Sequence, residues 1–287
     1  MVELNPGQPE TNPIQSESIE NLIEKLCALS DGTEGTDGWI SVGKFKGVDI
    51  LKQPAREVER PWDTLKGTSL LCVPIHYIVA YVFSLDYRGE WDDLLKKGKT
   101  VQEYGPLSKV TLMEYKPVWP ASGRDFCTLW HLKRIDESVV CFACEAVESC
   151  PEQKGLVRAE LVIGGFVVKE ISSDPPKCLV TYITRVDLKG SLPTRLVNRV
   201  TSTQPQGVAI IRDKLEARYQ ADRGASDSGE MPKIQKKGVK LWRELTAGSN
   251  ESEAEKKQEA GPHRMAEARP EEMFSSQILR SRPGVCC

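Results

Sequence analysis

Residues 156–171, LVRAELVIGGFVVKEI, and 178–188, CLVTYITRVDL, followed by 192–220, LPTRLVNRVTSTQPQGVAIIRDKLEARYQ, decide the fold of this chain. The first two runs are rich in Val, Ile, Thr and aromatic residues and are bounded by Gly, Pro, Ser or Asp, which marks strands. In the third, Leu196, Val200, Ile210, Ile211, Leu215 and Tyr219 recur at helical spacing. A long C-terminal helix therefore follows a sheet, with Pro205 as its kink. Upstream, TVQEYG (100–105), KVTLMEYKP (109–117), DFCTLWHLKRID (125–136) and VVCFACEAV (139–147) read as strands by the same signs. Six strands joined by short connections run antiparallel, because parallel neighbours need a long crossover.

Toward the N-terminus, SESIENLIEKLCALS (16–30) places Ile19, Leu22, Ile23, Leu26 and Leu29 on one helical face behind Ser and Glu start signals. GWISVGKFKGVDILKQP (38–54) reads as a hairpin turning near Lys46 and Gly47, and SLLCV (69–73) extends the sheet. Pro74 opens IHYIVAYVFSLDYRGEWDDLLKK (75–97), two helices divided near Asp86. The order is helix, three strands, two helices, six strands, helix: an α+β domain over 18–221. Residues 1–17 are a polar, Pro-containing leader, and 222–287, rich in Gly, Ser, Glu and Lys, read as a mostly disordered tail.

Hydrophobic residues make up 39% of the chain, enough for a core, and a formal net charge of -2 supplies no general attraction for nucleic acid. Apolar runs such as 70–85 and 156–168 are too short or too broken to span a bilayer, which takes roughly 20 residues. The N-terminus lacks the basic start and apolar centre of a secretory signal, so the expected address is cytoplasmic. Nine cysteines are accordingly read as free thiols. Cys141 and Cys144 resemble a CxxC pair, but three residues apart on a strand they face opposite sides, and no metal or cofactor is expected.

Four ordered strings carry a resemblance: YRGEWD (87–92), GRDF (123–126), GLVRAE (155–160), and DLKGSLP (187–193) with LVN (196–198). In these the chain resembles the START family of lipid-transfer domains, related to the steroidogenic acute regulatory protein. The resemblance implies the helix-grip fold, a curved antiparallel nine-stranded sheet around the long C-terminal helix, enclosing a tunnel for one sterol or phospholipid. It implies lipid and a membrane surface, met peripherally, as partners; a monomer and no nucleic acid complete the expectation.

The family places its inward residues on the face of Phe126, Thr128 and Trp130, leaving Cys127, Leu129 and His131 outside. Its sterol carriers often have an arginine where Trp130 stands, paired with an acid near Glu114. Its phosphatidylcholine carrier has an aromatic cage at positions matching Met113, Tyr115, Thr128 and Thr184, of which only Tyr115 is aromatic here. Met113 and Glu114 cannot both point inward on a regular strand, and the alternation leaves that choice open. Tyr182 and Thr184 share a face of the last strand. Arg88 either meets a lipid phosphate, as in the family's phospholipid carriers, or forms an internal ion pair with Asp92 or Asp125, since buried charge is normally paired. Arg124 and Asp125 read as a structural network at a strand entry.

KPVWPASGR (116–124) matches the family's mobile flap, so Val118 and Trp119 are expected at a membrane interface, where tryptophan is favoured. The ending PGVCC leaves two readings of Cys286 and Cys287: lipidated anchors working with the basic KIQKKGVKLWR (233–243), or bare thiols. Two further function classes compete, a membrane-associated lipid sensor and a helix-grip hydrolase or thioesterase. The second has little to work with: only His76, His131 and His263 are present, and no GxSxG elbow.

Overall fold

The computed structural model describes residues 17–33, 35–55, 62–190, 192, 197, 201, 203–224 and 231–259, with side chains to 247. Elements follow one another as α1 (Glu17–Asp31), β1 (Ile40–Phe45), β2 (Val48–Gln53), β3 (Thr64–Leu71), α2 (Ile75–Phe83), α3 (Leu85–Trp91), β4 (Leu95–Glu103), β5 (Ser108–Tyr115) and β6 (Arg124–Arg134). Then come β7 (Val139–Ala146), β8 (Val157–Arg158), β9 (Glu160–Ser173), β10 (Pro176–Asp187), α4 (Gly207–Gly224) and α5 (Lys233–Glu259). The chain divides into two compact units, 1–249 and 250–287, and every strand belongs to the first.

Antiparallel pairing gives the order β1-β2-β3-β10-β9-β7-β6-β5-β4. The six-strand meander thus closes against the first hairpin through β10 and β3. At the β1–β2 turn Lys46 and Gly47 have φ of 47° and 81°, the paired positive values of a two-residue turn whose twist matches the strands. The run 156–171 is not one strand. It breaks at Ala159, and the two-residue β8 pairs parallel with β6 off the main path, which makes ten strands.

The two faces of the sheet carry different cores. On the outer face Ile19, Leu22, Ile23 and Leu26 of α1 pack against Cys141, Ala143, Ile163, Val167 and Ile183. The inner face presents Trp130, Phe142, Cys144, Phe166, Val180 and Tyr182 to α2, α3 and α4. Cys141 and Cys144 fall in different clusters, as strand alternation requires. Gly165 lets α1 sit close: a Cβ there would lie 2.2 Å from the Phe142 carbonyl oxygen and 2.6 Å from Leu26 Cδ1. Gly165→Ala is therefore expected to lower stability by about 1–3 kcal/mol, as overpacking does. Urea unfolding reads this as a lower midpoint at unchanged slope; a wild-type midpoint would mean that helix and strand yield freely.

Three expectations need correction. Cys127 and Cys150 form a disulfide linking β6 to the loop before β8, whereas Cys27, Cys72, Cys141, Cys144 and Cys178 are free. The two are 23 residues apart, and β7 folds back between them to bring their Cα atoms to 5.8 Å, a proximity set by pairing rather than by spacing. The C-terminal helix does not run through Pro205. A 3₁₀ turn, Gln204–Gln206, precedes α4, since proline suits the opening of a helix better than its middle. Leu196 and Val200 lie outside the described residues. Finally, the tail contains α5, whose Ile234, Leu241 and Leu245 join the inner core.

Candidate functional site

The motif at 87–92 forms α3 because Ser84 caps it, its Oγ accepting from the Asp86 N–H at 3.2 Å. Arg88 and Asp92, four residues apart, meet at the helix end. Arg88 Nε donates to Asp92 Oδ2 at 3.1 Å and Nη2 lies 3.0 Å from the same oxygen. Both side chains are buried, 6% and 8% exposed, so this is a desolvated pair. Tyr115 completes a triangle: its hydroxyl donates to Asp92 Oδ2 at 3.0 Å and accepts from Arg88 Nη2 at 3.4 Å. The guanidinium lies 3.9 Å from the Trp91 ring centroid and 5.5 Å from that of Trp130. Burial works against its charge, but Tyr115, Asp92 and Tyr182 more than offset this, so Arg88 is held charged more firmly than in water. Burial, then the Asp92 carboxylate, pushes the Tyr115 phenol well up, keeping it a donor.

The internal ion pair foreseen for Arg88 is formed, with Asp92 as its partner. Asp125 pairs elsewhere: Arg158 reaches its Oδ2 through Nη2 at 2.8 Å and Nε at 3.1 Å, joining β8 to the entry of β6. Arg124 donates through Nε to the Leu188 carbonyl at 3.2 Å and through Nη2 to that of Lys189 at 3.3 Å. The strings at 87–92, 123–126, 155–160 and 187–193 are thus tied into walls by buried charge and backbone bonds. The last string, 196–198, lies mostly outside the described residues.

Arg88 closes one side of a cavity of about 90 Å³. Met113 and Tyr115 line it from β5, Phe126, Thr128 and Trp130 from β6, and Tyr182 and Thr184 from β10. Alternation accounts for all seven. Trp130 Nε1 donates to Thr128 Oγ1 at 3.1 Å, and that hydroxyl lies 3.2 Å from Thr111 Oγ1, so the tryptophan edge is held in one orientation. Thr184 Oγ1 is buried without a partner in hydrogen-bond geometry among the described residues, although it is near enough to Tyr182 to favour that phenolate slightly.

Glu114 does not line the cavity. The alternation left open between Met113 and Glu114 resolves in favour of Met113, because Tyr115 shares its face and is anchored to Asp92. Val118 lines the cavity mouth, whereas Trp119 is 91% exposed beside it. Leu161, Gly164 and Val186 also line the space; alternation with Tyr182 and Thr184 marks Val186, but Leu161 and Gly164 share the space only through the β9–β10 register shift at Arg185/Val186, which sequence alternation does not reveal. His131 stands on the opposite face, its Nδ1 2.6 Å from Ser108 Oγ, and His76 is half-buried in α2. His263, Cys286 and Cys287 lie outside the described residues.

The cavity is smaller than a lipid needs, since ligand sites run to roughly 300–1,000 Å³. Aromatic side chains of the sheet occupy much of the inner space: Phe166 stacks on Tyr182 at 4.3 Å between centroids and meets Trp91 and Phe142 edge-on. Side chains of α4 do not plug the cavity; their buried set, Val208, Ala209, Ile211 and Leu215, belongs to the core beside it. A second cavity of about 510 Å³ shares Val186, Leu188, Leu192 and Thr201 with the first and adds Trp62 and the Lys52–Asp63 ion pair at 3.2 Å.

Comparisons with known proteins agree with this architecture. The family model of the START domain matches residues 29–216. The mitochondrial steroidogenic acute regulatory protein of Danio rerio is 33% identical over 140 residues, covering 47% of this chain and 48% of that protein. START domain-containing protein 10 of Homo sapiens is 27% identical over 169 residues, 58% of this chain and 57% of the relative. The chain thus spans about half the length of the curated relatives it matches. Among solved structures, human StAR-related lipid transfer protein 5 superposes with a TM-score of 0.60 at 22% identity, covering 70% of this chain and 93% of that one. Human STARD10 gives 0.59 at 22% identity, covering 71% and 84%.

Proposed function

The chain belongs to the START domain family, and from that premise we propose that it binds and carries one lipid molecule with the polar end at the Arg88–Asp92–Tyr115 cluster. The observation that supports this most directly is the convergence of Phe126, Thr128, Trp130, Tyr182 and Thr184 on a space whose polar boundary is a buried cation already paired. Taking an apolar body out of water contributes roughly 25 cal/mol per Å². The polar end then selects the head. Because Asp92 neutralises Arg88, a phosphate would compete with a carboxylate for the guanidinium, whereas an uncharged hydroxyl can bond to Tyr115, Arg88 or Thr184 without displacing either charge. This favours a sterol-like lipid over a phospholipid.

Space for the body comes from the shared wall of the two cavities: displacing Val186, Leu188 or Leu192 joins them. Among the described residues that line the cavity none is a histidine, and we read the chain as a carrier working peripherally at cytoplasmic membrane surfaces. Exchange between vesicles carrying a fluorescent sterol or a fluorescent phosphatidylcholine tests the assignment. Acceleration of sterol movement supports it; acceleration of phosphatidylcholine alone would overturn the hydroxyl reading, and acceleration of neither would overturn the carrier.

Membrane contact is assigned to the loop 116–123, where Trp119 stands in water beside the cavity-lining Val118. An indole is favoured at the bilayer interface. Trp119→Ala is expected to slow transfer about fivefold or more, the equivalent of roughly 1 kcal/mol, with stability unchanged because the side chain touches little. Transfer at the wild-type rate would remove this loop from the docking surface.

A further inference from the structure

Helix α5 lies beyond residues 29–216, the span of the family match, and carries two opposed stripes. Ile234, Gly238, Leu241 and Leu245, spaced 4, 3 and 4 residues apart, are its buried face. Gly238 fixes how closely that face seats: a Cβ would lie 2.3 Å from the His76 carbonyl oxygen of α2. Lys237, on the flank, reaches Ser84 Oγ at 2.6 Å and Asp86 Oδ2 at 3.2 Å, and its hydrogen bond and charge hold the Asp86 carboxyl below the usual range, with a smaller contribution from Lys233. The orientation of the helix is therefore set by packing and by an ion pair. On the opposite face Lys233, Lys236, Lys240 and Arg243, spaced 3, 4 and 3, are exposed, with Glu244 at the edge as the one acid on the described side chains of the helix. At 1.5 Å per residue the stripe runs about 15 Å.

We propose that this stripe is a docking surface for an anionic membrane, separate from the Trp119 loop. Such a surface goes beyond the cargo assignment and does not depend on it. With a formal net charge of -2 the chain has no overall pull toward anions, so the row formed by Lys233, Lys240 and Arg243 on a rigid helix is a local field. The row lines neither of the two cavities described above, which suits a plane of headgroups rather than a single bound ion. Its position separates it from the loop. Trp242 of α5 lies beside Arg134, at the far end of β6, with centroid and guanidinium 5.8 Å apart. The loop 116–123 joins the other ends of β5 and β6. Along the eight residues of β5 that is about 25 Å. One membrane can engage α5 while another meets Trp119.

The test uses the full chain with vesicles of phosphatidylcholine, with and without about 30% phosphatidylserine, at physiological salt. A cation near such a surface is worth about 1 kcal/mol, or about fivefold in binding, so Lys233→Gln/Lys240→Gln/Arg243→Gln is expected to weaken binding to the anionic vesicles about a hundredfold. The Lys→Arg versions should retain it, and Trp119→Ala should retain most of it while slowing transfer. Wild type should also cluster anionic with neutral vesicles, and either variant should abolish clustering. Circular dichroism and Trp242 fluorescence verify that α5 stays docked. Unchanged binding by the triple variant overturns the proposal, and so does binding to polyglutamate without binding to vesicles, which would assign the stripe to an acidic protein partner.

Discussion

Arg88→Met is expected to lower folding stability by about 3–5 kcal/mol, the cost of leaving a desolvated charge without its partner. Asp92 is 8% exposed, and its Oδ2 receives the Arg88 guanidinium and the Tyr115 hydroxyl. With the guanidinium gone the carboxylate keeps one neutral donor. It must then draw in water through the packed ring of Trp91 or become protonated, and both are costly. The double replacement Arg88→Met/Asp92→Leu should recover most of the loss, since an apolar pair of similar volume often matches a buried ion pair. Urea unfolding of the two singles and the double gives the coupling directly. If Arg88→Met loses less than about 1 kcal/mol, the pair is hydrated in solution and cannot serve as a fixed polar boundary. Lipid binding should fall in the double variant as well, although its stability returns, because the Arg88 guanidinium is absent and Tyr115 has lost the carboxylate that orients its hydroxyl.

Thr184→Phe is expected to abolish most lipid transfer, by more than about tenfold, while the domain stays folded. Thr184 is 1% exposed, faces the cavity from β10, and its hydroxyl has no partner in hydrogen-bond geometry among the described residues, so replacing it breaks no hydrogen bond to them. A phenyl ring directed into a space of about 90 Å³ removes the room a guest needs. The structural cost is that of local overpacking, about 1–3 kcal/mol. Glu114→Gln, on β5 but outside the cavity lining, is the control: stability within about 0.5 kcal/mol of wild type and unaltered transfer. Rapid transfer by Thr184→Phe would place the lipid elsewhere, with the second cavity the next place to look. Together with the Arg88 series, the result separates a loss of volume from a loss of polar contact.

Much of the wall was legible in the sequence because alternation is a local property. DFCTLWHL sorts Phe126, Thr128 and Trp130 from Cys127, Leu129 and His131 whatever the sheet later does, and the structure divides them in that way. The same rule separated Cys141 from Cys144, and it confined Met113 and Glu114 to alternatives of which one had to fail. The ion pair of Arg88 was legible too, since Asp92 lies one helical turn away. α5 escaped notice although Ile234, Leu241 and Leu245 are helically spaced. Gly238 in the buried stripe and the lysines around it give a composition that reads as a solvated tail, and only the approach of His76 makes a glycine there a packing residue.

Sequence alone therefore determined most of the order of the elements, which residues of a strand share a face and the family, because each depends on residues a few positions apart. Tertiary structure decided how much space the faces enclose, that Cys127 meets Cys150, that α5 docks with its cations outward, and that the basic stripe and Trp119 occupy opposite ends of the β5–β6 pair. These follow from contacts between residues distant in the chain. The volume left inside is a small difference between a large enclosed space and the side chains that fill it, and it is fixed only when Phe166, Tyr182 and Trp91 are placed against one another.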